Sequence, residues 1–171
     1  MGGFVGGHPP NTDAVLYFAT TLFPRIRQRL PDSRFVVVGT QPPSSIQDLT
    51  SRHIIVAGYV EDLTEYYERC RVFVVPLQFG AGISLKLIEA MSYGIPAVVS
   101  TVGAAGLGLG DGREALIAQS DDEFVEKVVQ LYEDESLWAT VQRAAQDYIR
   151  RRCASEVMRN KLADALSGPG R

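Results

Sequence analysis

The chain has 171 residues, 46% apolar and 22% charged, with a formal net charge of −3, which suits one ordinary soluble domain that needs no disulfide or metal to hold it. The acidic balance argues against a general nucleic-acid binder, which carries a basic face, and two histidines, His8 and His53, are too few for a histidine metal cluster. No apolar run reaches the length of a membrane span, and no basic-then-apolar signal pattern opens the chain, so the expectation is a cytoplasmic protein. Cys70 and Cys153 stand far apart without a CxxC pairing and read as small buried hydrophobes in a reducing compartment.

In chain order, Gly2-Gly3-Phe4-Val5-Gly6-Gly7 reads as the end of a short strand running into a glycine turn, an abrupt start that suggests a piece of something longer. His8-Pro9-Pro10 is a loop, and Asn11 or Thr12 is a good N-cap. From Asp13 to Leu30 the residues Val15, Phe18, Ala19, Leu22, Ile26 and Leu30 recur at helical spacing, with Pro24 placed to kink or break the helix. Arg34–Gly39 is a buried strand, Ser45–Ser51 a weak helix, His53–Gly58 a third strand, and Glu61–Arg69 a short helix with Leu63, Tyr66 and Tyr67 inward.

Val72–Val75 is a fully apolar strand that runs into Gly80-Ala81-Gly82 and then a helix opening near Ser84. A strand, a glycine loop and a helix start make an anion site, because the backbone can approach closely and the first-turn N–H groups point at the ligand. In that helix Leu87, Ile88 and Met91 share one side, and Lys86, Glu89, Ala90 and Tyr93 the other. The apolar side packs on the sheet, so Lys86 and Glu89 face strand ends or solvent, where a plain i,i+3 ion pair is the bland alternative to a ligand site.

Ala97–Ser100 is the next strand, followed by a second glycine-rich stretch, Thr101–Gly112, for which a flexible connector is one reading. Ala115–Ala118 is the last strand. Ser120-Asp121-Asp122-Glu123 is a capping box, a better account of the paired aspartates than a metal motif, ahead of Phe124, Val125, Val128, Val129 and Tyr132. A further helix uses Leu137, Trp138, Val141, Ala144, Ala145, Tyr148 and Ile149, and a last one runs from Ser155 to Leu166. Six apolar strands alternating with helices predict an α/β fold, a Rossmann-like parallel sheet covered on both faces in one domain over residues 1–171. Ligands of such sheets bind at the strands' carboxyl ends.

Gly80-Ala81-Gly82, Glu89-Ala90-Met91, Gly94-Ile95-Pro96, Val98 and Ser100 together resemble the signature of the family 4 retaining glycosyltransferases, which have the GT-B fold. Pro10-Asn11-Thr12-Asp13-Ala14, Val38-Gly39, Gly58-Tyr59-Val60, Gly103-Ala104-Ala105-Gly106-Leu107 and Leu131-Tyr132-Glu133-Asp134 fall in the order this family shows. The resemblance implies the donor half of a two-domain enzyme that transfers a sugar from a nucleoside diphosphate sugar to an acceptor. Its acceptor half would precede residue 1. It implies no metal and no nucleic-acid partner, a membrane surface only through the other half, and no catalysis by this half alone. Glu89 would hold the ribose hydroxyls, Lys86 would place charge at the diphosphate, and Gly82, Ile83 and Ser84 would present N–H groups. Gly58, Tyr59 and Val60 would line the base pocket, with Gly6, Gly7, His8, Gly39 and Gly80 at the remaining strand exits.

Two departures stand out. The carboxylate that the family carries eight residues before Glu89 is replaced by Ala81, and no Arg or Lys follows the first strand. Either Lys86 and His8 compensate or diphosphate binding is weak. The alternatives are a non-catalytic nucleotide-sugar-binding module of the same fold and a sugar-nucleotide epimerase of related fold. A plain dinucleotide-binding domain fits least, since no GxGxxG opens a helix with an acid about 20 residues on.

Overall fold

The structure, a computed structural model, describes residues 10–80 and 83–152. Five strands, β1 (Phe35–Val38), β2 (Ile54–Gly58), β3 (Phe73–Val75), β4 (Ala97–Ser100) and β5 (Leu116–Ala118), alternate with helices. The α-helices are α1 (Pro10–Tyr17), α2 (Phe23–Arg29), α3 (Ser44–Gln47), α4 (Thr64–Glu68), α5 (Leu85–Ser92), α6 (Thr101–Ala104), α7 (Asp121–Glu133) and α8 (Glu135–Arg152). Every ladder is parallel, β1 with β2 and β3 with β4 with β5, and the helices supply the crossovers that parallel strands require.

The α/β class expected from the sequence is what forms, with one difference in the count. The described strands number five, in two sheets, where six in one sheet were expected. The sixth, around Gly2–Gly7, lies outside the described residues, as do Gly6, Gly7, His8, Ala81, Gly82, Cys153 and the helix expected from Ser155 to Leu166. Among the described residues a cavity of about 800 Å³ lies between β1 and β3, walled by Phe35, Val37 and Val74 and bordered by Asn11, Ser84 and Lys86.

Pro24 interrupts the α-helical ladder without ending the helical run, since α1 stops at Tyr17 and α2 starts at Phe23. It lacks the N–H that the ladder needs, and the backbone answers with a π-helical turn, Phe18–Leu22, in which Phe23 N–H reaches Phe18 O. Pro10 opens α1 at a position where a missing N–H costs nothing, so Asn11 and Thr12 lie inside the first turn rather than at its cap.

Successive β4 side chains point to opposite faces, and both faces are covered, so Val98 and Val99 are each fully buried. On the Val98 side Phe18, Leu22 and Ile26 pack with Phe124, Val128 and Val129 of α7; on the Val99 side Leu87 and Met91 of α5 pack with Leu107 and Tyr148. In α7 the inward residue is Leu131, while Tyr132, expected inward, is 41% exposed.

The glycine-rich stretch after β4 is a held segment rather than a free connector. Ser100 Oγ accepts the Gly103 N–H at 3.0 Å and donates to Leu77 O at 2.5 Å. A Cβ on Gly103 would lie 2.9 Å from both the Val75 side chain and the Val75 carbonyl, so only glycine allows this approach. Tyr148 OH donates to Leu107 O at 2.5 Å, and the buried Glu114 carboxylate accepts the Gly110 N–H at 2.8 Å.

Candidate functional site

Both helices that start beside the strand ends converge on one place. Gly80, at φ +140°, turns the chain leaving β3 so that a Cβ on it would sit 3.7 Å from Pro10, the first residue of α1. Ser84 stands at the N-cap of α5 in extended conformation, and its hydroxyl makes no capping bond. Leu87 and Ile88 N–H reach the Ser84 carbonyl at 3.1 and 3.2 Å, and no side-chain cap serves the earlier N–H groups of Leu85 and Lys86. At the other end Gly94 adopts φ +76° and Ile95 N–H returns to Ala90 O at 3.0 Å, a Schellman stop that fixes the length of α5.

Lys86 and Glu89 leave this helix without pairing with each other. No ion pair involves either residue among the described residues. Lys86 Nζ instead donates to Asn11 Oδ1 at 2.6 Å, a bond that spans 75 residues and ties the start of α5 to the start of α1. Burial holds the Lys86 ammonium below the ordinary lysine value, and no carboxylate acts against it. A desolvated cation with one neutral partner is a receptor for an anion, because buried charge is costly until it is paired.

Glu89 faces the other way, to Tyr67 of α4. Burial, and after it the Glu89 charge and a hydrogen bond to Glu89, raise Tyr67 far above the ordinary tyrosine value. The Tyr67 ring stacks on Tyr93, one turn beyond Glu89, at 4.5 Å and 26°. The face of α5 expected to look toward strand ends or solvent is thus roofed in part by α4. Ala90, expected on that open face, is fully buried with Leu63, Tyr67 and Ile95. Tyr93 stays half exposed beyond it.

The exits of β1 and β2 adjoin this roof. Gly39 N–H donates to Gly58 O at 2.9 Å, and Gly58 takes φ +68°, a turn residue with no side chain to clash. Val60 packs into the cluster of Tyr67 and Ala90, whereas Tyr59 projects, 66% exposed. Ile83 does not point at α1. Its side chain lies toward Gly106, where a Cβ would meet it at 3.4 Å.

The structure therefore brings Gly39, Gly58, Val60, Gly80, Ser84, Lys86 and Glu89 to one end of the sheets, with Ile83 and Tyr59 at the rim. Asn11 and Tyr67 are the two residues that the sequence did not single out for the site. Each reads locally as something plainer, a cap and a core tyrosine, and nothing in their neighbours signals a contact made across the fold.

Parallel strands in two sheets, with two helix starts, a half-buried ammonium and a roofed carboxylate gathered at one end, make an α/β unit with a candidate anion site. The profile of the glycosyl transferases group 1 family matches residues 2–134, and the chain belongs to that family. It is 24% identical over 137 residues to an uncharacterized 44.6 kDa protein in the cps region of Klebsiella pneumoniae, covering 74% of this chain and 35% of that protein. HepE from Anabaena, solved with UDP-glucose, superposes with a TM-score of 0.76 at 19% identity over 98% of this chain and 48% of its own. The C-terminal domain of LpcC, a glycosyl transferase group 1 protein from Francisella tularensis, gives 0.66 at 17% identity over 90% and 83%. The fold is that of the C-terminal half of GT-B glycosyltransferases, and the chain spans about a third to a half of these full-length relatives.

Proposed function

We propose that the chain is the donor-binding half of a retaining, metal-independent glycosyltransferase, which takes a nucleoside diphosphate sugar at the carboxyl ends of its strands. The observation that carries this reading is the Lys86 ammonium, desolvated, bonded among the described residues only to a neutral amide, and set at the joint of two helix starts. The diphosphate lies against Lys86 and the first turn of α5. As the bond between the sugar and the diphosphate breaks, charge collects on the departing phosphate oxygens, and Lys86 with those N–H groups stabilises it. Glu89 accepts the ribose hydroxyls, and Gly58, Tyr59 and Val60 bound the base. Gly6, Gly7, His8, Gly39, Gly80, Gly82 and Ile83 complete the proposed binding set.

The acceptor is a glycan, lipid or small molecule held by a second half outside these 171 residues. That half also shields the reaction from water, so this chain alone is inactive in transfer. HepE, solved with UDP-glucose, makes UDP the first nucleotide to try. Ala81, where the family's signature has a carboxylate, favours a second reading, a nucleotide-sugar-binding module without transfer. Transfer assays with the longer protein separate the two.

Calorimetric titration with UDP, GDP and ADP in the presence of a chelator tests the donor reading. One nucleoside diphosphate binds the unmodified chain, and Glu89→Ala loses most of that affinity, a hundredfold or so for two hydrogen bonds to a charged group. Equal binding by both proteins removes Glu89 from the ribose.

A further inference from the structure

We propose that Asn11 is a positioning residue for Lys86, whose side-chain oxygen holds the ammonium at the joint of α1 and α5 without cancelling its charge. The proposal rests on reading the site as a nucleoside diphosphate site, and on the Lys86 Nζ–Asn11 Oδ1 bond of 2.6 Å. Three features make this bond more than a chance contact. It connects the second residue of α1 with the second residue of α5, so its two ends sit on the two helix starts that face the ligand. The amide oxygen is the only hydrogen-bond partner of Lys86 among the described residues, which leaves two of its three N–H donors for a ligand. Finally, a Cβ on Gly80 would lie 3.7 Å from the Pro10 ring, an ordinary contact distance, so the residue before Asn11 sits beside the chain that leaves β3.

The chemistry explains why a neutral acceptor serves here. Lysine is a point charge on a flexible four-carbon stem, and in a half-buried site it needs a partner to choose one direction. A carboxylate would orient it equally well but would form an ion pair that a phosphate must then displace. An amide oxygen orients the ammonium through its dipole and leaves the full positive charge for the diphosphate. Position 11 therefore sets phosphate affinity through Lys86 rather than by contact with the sugar or base.

Two readouts on the whole chain test this. The sequence has three lysines, Lys86, Lys127 and Lys161, so ¹³C-lysine labelling gives a spectrum in which Lys86→Arg identifies the Lys86 ε-methylene signal. Followed against pH, that signal titrates below the ordinary lysine range in the unmodified protein, moves up in Asn11→Asp and down in Asn11→Ala. Calorimetry then compares whichever of UDP, GDP or ADP binds with its parent nucleoside. Asn11→Ala weakens the diphosphate about tenfold, the scale of one charge-assisted hydrogen bond, and Asn11→Asp weakens it further, while nucleoside affinity is unchanged. A Lys86 signal indifferent to both substitutions overturns the contact. Diphosphate and nucleoside weakened alike would show a merely structural role and overturn the positioning. If no diphosphate binds the unmodified chain while the Lys86 signal moves as stated, the contact stands and the donor reading falls.

Discussion

Lys86 and Glu89 are three residues apart on one helix, a spacing that ordinarily yields a surface ion pair worth a few tenths of a kcal/mol. Each instead finds a partner from another helix, Asn11 in α1 and Tyr67 in α4, and the two charges are held apart. The environment around Tyr67 also makes a testable statement about pH. Burial first, then Glu89, raises the Tyr67 hydroxyl, and burial pushes the neighbouring Cys70 thiol up to about 11. Both groups are neutral when protonated, and both hold their protons longer folded than unfolded. Their contribution is complete below the unfolded thiol value, roughly pH 8.5, and is lost as pH rises above it. Urea midpoints therefore fall between pH 8 and pH 10.5, by on the order of 1–2 kcal/mol in stability, and fall less in the Tyr67→Phe/Cys70→Ala double variant. The same pH dependence in both proteins would place the alkaline loss elsewhere.

Among the elements, α7 shows what short-range sequence can specify. Ser120 Oγ accepts the Glu123 N–H at 3.3 Å, and the Glu123 carboxylate reaches back to the Gln119 N–H at 3.0 Å, one residue beyond the expected box. Asp121 and Asp122 accept from Tyr17 and Arg25, which binds the first turn of α7 to the N-terminal helical run and leaves no need for a metal to explain them. Ser120→Ala should cost about 1 kcal/mol in thermal or urea unfolding, the usual loss for such a cap. An unchanged midpoint would mean that the Asp121 and Asp122 contacts alone fix this end of the helix. The capping box, the apolar strands and the glycine loop before α5 were legible because each depends on residues a few places apart. The inward turn of Ala90, the roof that Tyr67 makes over Glu89 and the reach of Asn11 to Lys86 were not. Each depends on an element twenty or more residues away, and only the assembled fold sets that distance. The π-helical turn before Pro24 lies between these cases: the proline announces a fault in the helix, but widening one turn and kinking the axis are alternatives that packing decides.

Across the whole molecule the candidate site draws on both described sheets. Gly39, Gly58 and Val60 come from the exits of β1 and β2, Gly80, Lys86 and Glu89 from the β3 side, and Asn11 from the helix that runs beside them. Among the described residues no strand ladder joins β1 to β3, and apolar contacts of Val38 and Val60 with Tyr67, Ala90 and Phe73 link the two sides at this end. A ligand that touches ribose, diphosphate and base at once would add a second link, and anything that binds only the folded arrangement stabilises it by mass action. Amide hydrogen exchange with and without saturating nucleoside diphosphate measures this. Slowed exchange is expected together in the first turn of α1, around Gly58–Val60 and from Ser84 to Tyr93, with thermal unfolding shifted upward by roughly 3 kcal/mol of linkage at a hundredfold excess over Kd. Protection limited to α5 would show a ligand of that helix alone, and the base assignment on the β1–β2 side would then fail.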